Sequence, residues 1–133
     1  MGIKQLIIIF LVIVFGASYL IGGSESISEK IEKYLDSNFK YDPENYEKYS
    51  YLNIVYMNLT AKYDRALQLI EKYEARFEKD EQKAKAQFQR ASAYDRKLDG
   101  KRARAEYQKY VDLYPEGPNA KKARERINFL KFY

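Results

Sequence analysis

The chain has no cysteine, no histidine and no tryptophan, and only three of its 133 residues are proline and six glycine. Without cysteine there is no disulfide staple, no thiolate nucleophile and no lipobox. Without histidine the commonest general base and the commonest zinc ligand are missing. Most familiar catalytic constellations are thereby excluded, and the length leaves room for no more than one compact domain. Strand signals are also missing: no alternating apolar run is bounded by turn residues, and Ala, Glu, Lys, Arg, Leu and Gln dominate beyond residue 24. What is abundant is charge, 24 basic against 19 acidic residues for a net +5, and tyrosine, 14 residues beside 7 phenylalanines.

The longest uncharged run is QLIIIFLVIVFGASYLIGG, Gln5 to Gly23, preceded by Lys4. As a helix rising about 1.5 Å per residue it reaches about 28 Å, near the roughly 30 Å of a hydrocarbon core. This predicts a transmembrane anchor over residues 1–24. A cleavable signal peptide is the competing reading, with Gly16, Ala17 and Ser18 imitating a cleavage site, but Tyr19, Leu20 and Ile21 carry the apolar run past them. Lys4 on one side and the mixed Glu25 to Lys33 segment on the other predict a single-pass, N-in membrane protein whose remainder is periplasmic or extracytoplasmic. A pilin-type leader is rejected, because Leu6 to Phe15 contains no acidic residue.

Breakers at Pro43, Gly100, Pro115, Gly117 and Pro118 divide the remainder into helices predicted at 27–38, 43–59, 63–78, 82–97, 100–113 and 119–131. Two helix pairs superpose when shifted by 37 positions: Tyr51 falls on Phe88, Ile54 on Ala91, Met57 on Tyr94, Ala66 on Ala103, Ile70 on Tyr107 and Tyr73 on Tyr110. A repeated pair of antiparallel helices is what a helical solenoid needs, since one pair alone cannot bury its apolar face.

The segment from Lys85 to Asn119, KAQFQRASAYDRKLDGKRARAEYQKYVDLYPEGPN, resembles a tetratricopeptide repeat. Ala91 and Ala103 take the small positions of its two helices, Tyr94 and Tyr107 the aromatic ones, and Pro115 the closing proline. Tyr110, Tyr114-Pro115, Ala120 and Ala123 give it the look of the subclass found in bacterial envelope proteins. The upstream copy keeps Tyr63, Ala66 and Tyr73, but Ile54 replaces the small residue and Glu78 the proline. The expected architecture is all-α: a transmembrane helix, a linking helix and loop over 25–46, two tetratricopeptide-like repeats over 47–118, and a capping helix over 119–133. Asn119 is the expected N-cap of that last helix, with Ala120, Ala123, Ile127 and Leu130 on one face.

The resemblance implies protein binding and no catalysis. Carboxylates interleave with Lys and Arg as on a solvated helix face, Asp95, Asp99 and Asp112 are separated by basic residues, and no metal, cofactor, small-molecule substrate or nucleic acid is expected. First-helix faces line the concave side of such arrays in the family it resembles, which selects Tyr51, Asn58, Arg65, Gln87, Arg90 and Tyr94 as partner-binding residues. Charge adds a second surface. Residues 25–78 carry 8 basic and 11 acidic residues, whereas 79–133 carry 15 and 8. Arg102 and Arg104 open a helix at the end where the dipole disfavours cations, so helix stability does not explain them. That basic half reads as a solvated face, as a docking surface for an acidic partner or anionic headgroups, or as a nucleic-acid surface. Two functions are open: a membrane-anchored scaffold or adaptor, and a structural accessory subunit integrated in a larger membrane protein complex.

Overall fold

The computed structural model describes residues 2–20 and 23–133, with the backbone alone at Leu6 and at residues 17–20. It consists of α1 (Ile3–Leu20), α2 (Ser24–Asn38), α3 (Pro43–Leu59), α4 (Tyr63–Arg76), α5 (Asp80–Arg96), α6 (Gly100–Leu113) and α7 (Ala120–Phe129), closed by a 3-10 turn over Leu130–Phe132. Among the described residues there is no strand. From α2 onward each helix packs on the next, and α3 also touches α5, so the array is solenoid-like.

The internal repeat is visible in the backbone. Helices α3 and α5 both have 17 residues, α4 and α6 both have 14, and a three-residue connection joins each pair. Both connections use the same device. Ala61 and Leu98, which stand 37 positions apart, have φ of 60° and 64°, and the next amide reaches back to Met57 O and Tyr94 O, both at 2.9 Å. This is a Schellman ending with a non-glycine residue in the left-handed position. Asp42 and Asp99 then cap α3 and α6 by accepting from the backbone N–H of Asn45 and Arg102, at 3.2 and 3.1 Å. Asn119 does occupy the N-cap of α7, but its side chain makes no cap bond and its backbone N–H donates instead to the Tyr110 hydroxyl at 3.3 Å.

Packing follows the repeat as well. Ile54, Ala66, Ile70 and Tyr73 are buried in one cluster, and their counterparts Ala91, Ala103, Tyr107 and Tyr110 in the other. The two clusters meet at α5, where Ala86 belongs to the first and Ala84, Phe88 and Ala91 to the second. Alanines without accessible surface at 66, 91, 103 and 123 let helix axes approach, and tyrosine and phenylalanine rings fill the space beside them. Phe88 is held between Tyr107 and Tyr110, with ring centroids 5.7 and 5.6 Å away. The capping face of Ala120, Ala123, Ile127 and Leu130 is buried on α6 as the periodicity requires.

The transmembrane expectation is overturned. Among the described residues no helix is long and apolar enough to cross a membrane. Helix α1 has 18 residues, a reach of about 27 Å, and Lys4 sits in its first turn. Its uncharged part therefore extends only about 24 Å against the roughly 30 Å of a hydrocarbon core. Gly23 at φ 92° precedes a separate helix, and the continuation of the run through Ile21 and Gly22 lies outside the described residues. The single-pass placement, N-in with an extracytoplasmic remainder, falls with the span. What α1 does present is apolar surface, including exposed Ile7, Phe10, Val12 and Ile13, with Phe15 set edge-on against Tyr56 of α3 at 6.1 Å.

Candidate functional site

Of the eight residues selected from the sequence, the structure draws five into contacts between helices. Asn58 is buried and its Nδ2 donates to Gln89 Oε1 at 2.9 Å, while Gln89 Nε2 donates to the Tyr51 hydroxyl at 3.1 Å. These bonds tie α3 to α5. Gln87, also buried, donates from Nε2 to the backbone carbonyl and the carboxylate of Glu106 on α6, at 2.9 and 2.7 Å. Arg90 holds Glu74 of α4 through both terminal nitrogens, the Nη1 bond being 3.0 Å long. Burial opposes the charge on Arg90, yet the Glu74 bonds keep its pKa above the ordinary guanidinium value. Arg65 pairs with Glu32 of α2 and donates to Ser28 Oγ at 3.3 Å, and Lys72 meets the same carboxylate at 2.7 Å.

The remaining three stay at the surface of the second hairpin. Arg102 is exposed, 3.5 Å from Asp99 Oδ2, with its guanidinium 5.7 Å from the centre of the Tyr94 ring. Tyr94 is half-buried against the C-terminal cluster. Arg104 is exposed and enters none of the ion pairs among the described residues. Arg102 and Tyr94 thus form one accessible cationic and aromatic patch and Arg104 stands exposed two residues further along α6, whereas Arg65, Asn58, Gln87 and Arg90 serve the packing of the array.

A different set of groups was hidden from sequence reading. Three tyrosine hydroxyls each donate to a carboxylate on the preceding helix: Tyr46 to Asp36, Tyr73 to Glu47 and Tyr107 to Asp95, the last at 3.1 Å. Burial and these bonds push all three phenols upward, Tyr46 to about 12. Asp95 further accepts from Nε and Nη2 of Arg126, both at 2.7 Å, locking α7 to α5. The bond to Asp95, only partly offset by burial, raises the Arg126 pKa. The one sequence signal for such ties was polarity at core spacing, as with Asn53 beside Ile54 and Asn58 beside Met57. Among the described residues no cluster of three acids or other ligand-type side chains could hold a metal ion. The chain matches no family model, no curated protein and no solved structure.

Proposed function

We propose that the protein is a non-enzymatic scaffold whose helical array presents its second hairpin to another protein. The observation that carries this reading is the exposure of Arg102, set against Tyr94, and of Arg104 in the N-terminal half of α6, with no ion pair among the described residues that accounts for Arg104. Arg102 lies in the first turn, where a cation opposes the helix dipole and where its exposed pairing with Asp99 is long at 3.5 Å, and both exposed guanidinium groups can meet an acidic partner. The likeness of both hairpins to tetratricopeptide repeats supports the same reading. In a pull-down from native extract, Arg102→Glu with Arg104→Glu should release the proteins that the wild type recovers. Recovery should also fall as salt rises past about 0.15 M, where the Debye length is about 8 Å. Unchanged recovery in both arms would sink the proposal.

A second reading, a structural subunit of a larger protein assembly, is favoured by α1. A helix that is apolar all round belongs in an interior, and Ile7, Phe10, Val12 and Ile13 stand exposed. A stoichiometric, salt-resistant complex on native size exclusion would select this reading over the adaptor.

A further inference from the structure

Helices α2, α3 and α4 enclose an open cleft of about 520 Å³, built from other helices than the α6 that carries Arg102 and Arg104. Its apolar wall is Leu35, Leu69 and Phe77. Two polar side chains in it have unmatched hydrogen-bonding capacity among the described residues. Asn53 is 2% exposed, its Nδ2 donates to Ser28 O at 3.2 Å, and its Oδ1 has no hydrogen-bond partner. That bond fixes which end of the carboxamide is the acceptor, and a buried acceptor left open carries a desolvation penalty that an incoming N–H would relieve. The second feature is Arg76, whose guanidinium sits 3.7 Å from the centre of the Tyr46 ring.

Arg76 ends α4, and the helix dipole explains a cation there but not its lack of an acceptor. The acids of the cleft are already engaged. Glu32 is held by Arg65 and Lys72, and Asp36 accepts from the Tyr46 hydroxyl. Arg76 itself enters none of the ion pairs among the described residues, so its charge is the unmatched one. A guanidinium steadied on an aromatic ring presents a fork of donors that suits a carboxylate. Arg76 and Phe77 also line a neighbouring cleft of about 620 Å³ toward the start of α5, so a chain passing Arg76 has room to continue on both sides.

We propose that the cleft takes an extended protein segment, with an internal acidic side chain on Arg76, an apolar side chain against Leu69 and Phe77, and a backbone N–H donated to Asn53 Oδ1. The proposal rests on the scaffold reading in that its occupant is a protein, but it uses different helices. The test is a titration of the isotope-labelled full chain, followed by NMR, with three peptides: acetyl-Gly-Leu-Glu-Ala-Gly-amide, the same peptide with Gln for Glu, and acetyl-Gly-Leu with a free terminal carboxylate. The Glu peptide should shift the backbone amides of Ser50, Asn53, Arg76 and Phe77. It should bind at least about tenfold more tightly than the Gln peptide, a difference of about 1.4 kcal/mol. Arg76→Gln should remove that preference, and Arg76→Lys should keep part of it, which separates lost recognition from lost folding. Asn53→Ala should weaken the Glu and Gln peptides alike.

Equal affinity for the Glu and Gln peptides, unmoved cleft amides, or a preference that survives Arg76→Gln would overturn the proposal. Tighter binding of the free-carboxylate peptide would overturn the internal placement. The two readings fail separately. If the peptides do not bind while Arg102→Glu with Arg104→Glu still releases partners, the cleft alone is refuted. If the peptides bind and the reversal releases nothing, the second-hairpin patch alone is refuted.

Discussion

At the scale of single residues, the two Schellman endings carry a cost that the sequence did not announce. Leu98 holds φ 64° while 91% exposed, so it contributes no packing to offset a conformation that side chains with a Cβ disfavour by about 1 kcal/mol or more. Leu98→Gly should therefore raise stability by about 0.5–1 kcal/mol, read as a higher denaturation midpoint with an unchanged slope. A fall would mean that the added backbone freedom of the unfolded chain outweighs the relief of strain. Gly117 shows the opposite constraint. A Cβ there would stand 2.5 Å from the Tyr110 hydroxyl and 3.1 Å from the Tyr114 carbonyl oxygen, and Tyr110 is fully buried. Gly117→Ala should destabilise by about 1–3 kcal/mol, and Tyr110→Phe in the same chain should recover part of that loss. Additive effects of the two substitutions in thermal melts would refute this contact as the cause.

At the scale of elements, α4 and α6 are copies that differ at the start. Asp99 caps α6, whereas its counterpart Lys62 leaves α4 without a side-chain cap, although the two backbones are close, at φ −99°, ψ 60° for Lys62 and φ −89°, ψ 74° for Asp99. Lys62→Asp should accordingly stabilise the fold by about 1 kcal/mol, and no change in the urea midpoint would show that the uncapped N–H groups are satisfied by water. The same comparison explains what sequence could and could not deliver. Helix existence and the 37-residue offset were legible because alanine and aromatic residues recur at the core spacing of both hairpins, and predicted and observed boundaries for α3 and α6 coincide. Gly100 was read as the breaker between α5 and α6 and as the first residue of α6, which it is, but the left-handed residue of the connection is Leu98. No residue type signals that position when glycine is absent from it. The partners of Arg65, Gln87 and Arg90 were equally illegible. Each lies 16 or more residues away on another helix, so local spacing holds no record of Glu32, Glu106 or Glu74. The error at α1 has a different source: an uncharged run was counted to Gly23, while α1 is described over Ile3–Leu20 and includes Lys4.

At the scale of the whole molecule, the tyrosine-to-carboxylate bonds stitch the helices in succession, α2 to α3 through Tyr46 and Asp36, α3 to α4 through Tyr73 and Glu47, and α5 to α6 through Tyr107 and Asp95. This gives three of the 14 tyrosines a structural use and makes stability depend on pH in one direction. Burial is the leading reason that each phenol is held protonated, followed by the bond to, or the charge of, its carboxylate. Folding thus raises each pKa above its unfolded value near 10, which means that the folded state binds more protons there than the unfolded state. The contribution is fully present below about pH 10 and is lost as pH rises through the folded value, about 12 for Tyr46 and higher for the other two. Titrating phenolate absorbance and far-UV circular dichroism together should therefore show that the three bridging tyrosines ionise only as the helices melt. Replacing Tyr107 by Phe should remove one late-ionising phenol and reduce the slope of stability against pH above about pH 10. A single ionisation phase that leaves helix content unchanged would show that these three hydroxyls do not hold the array together.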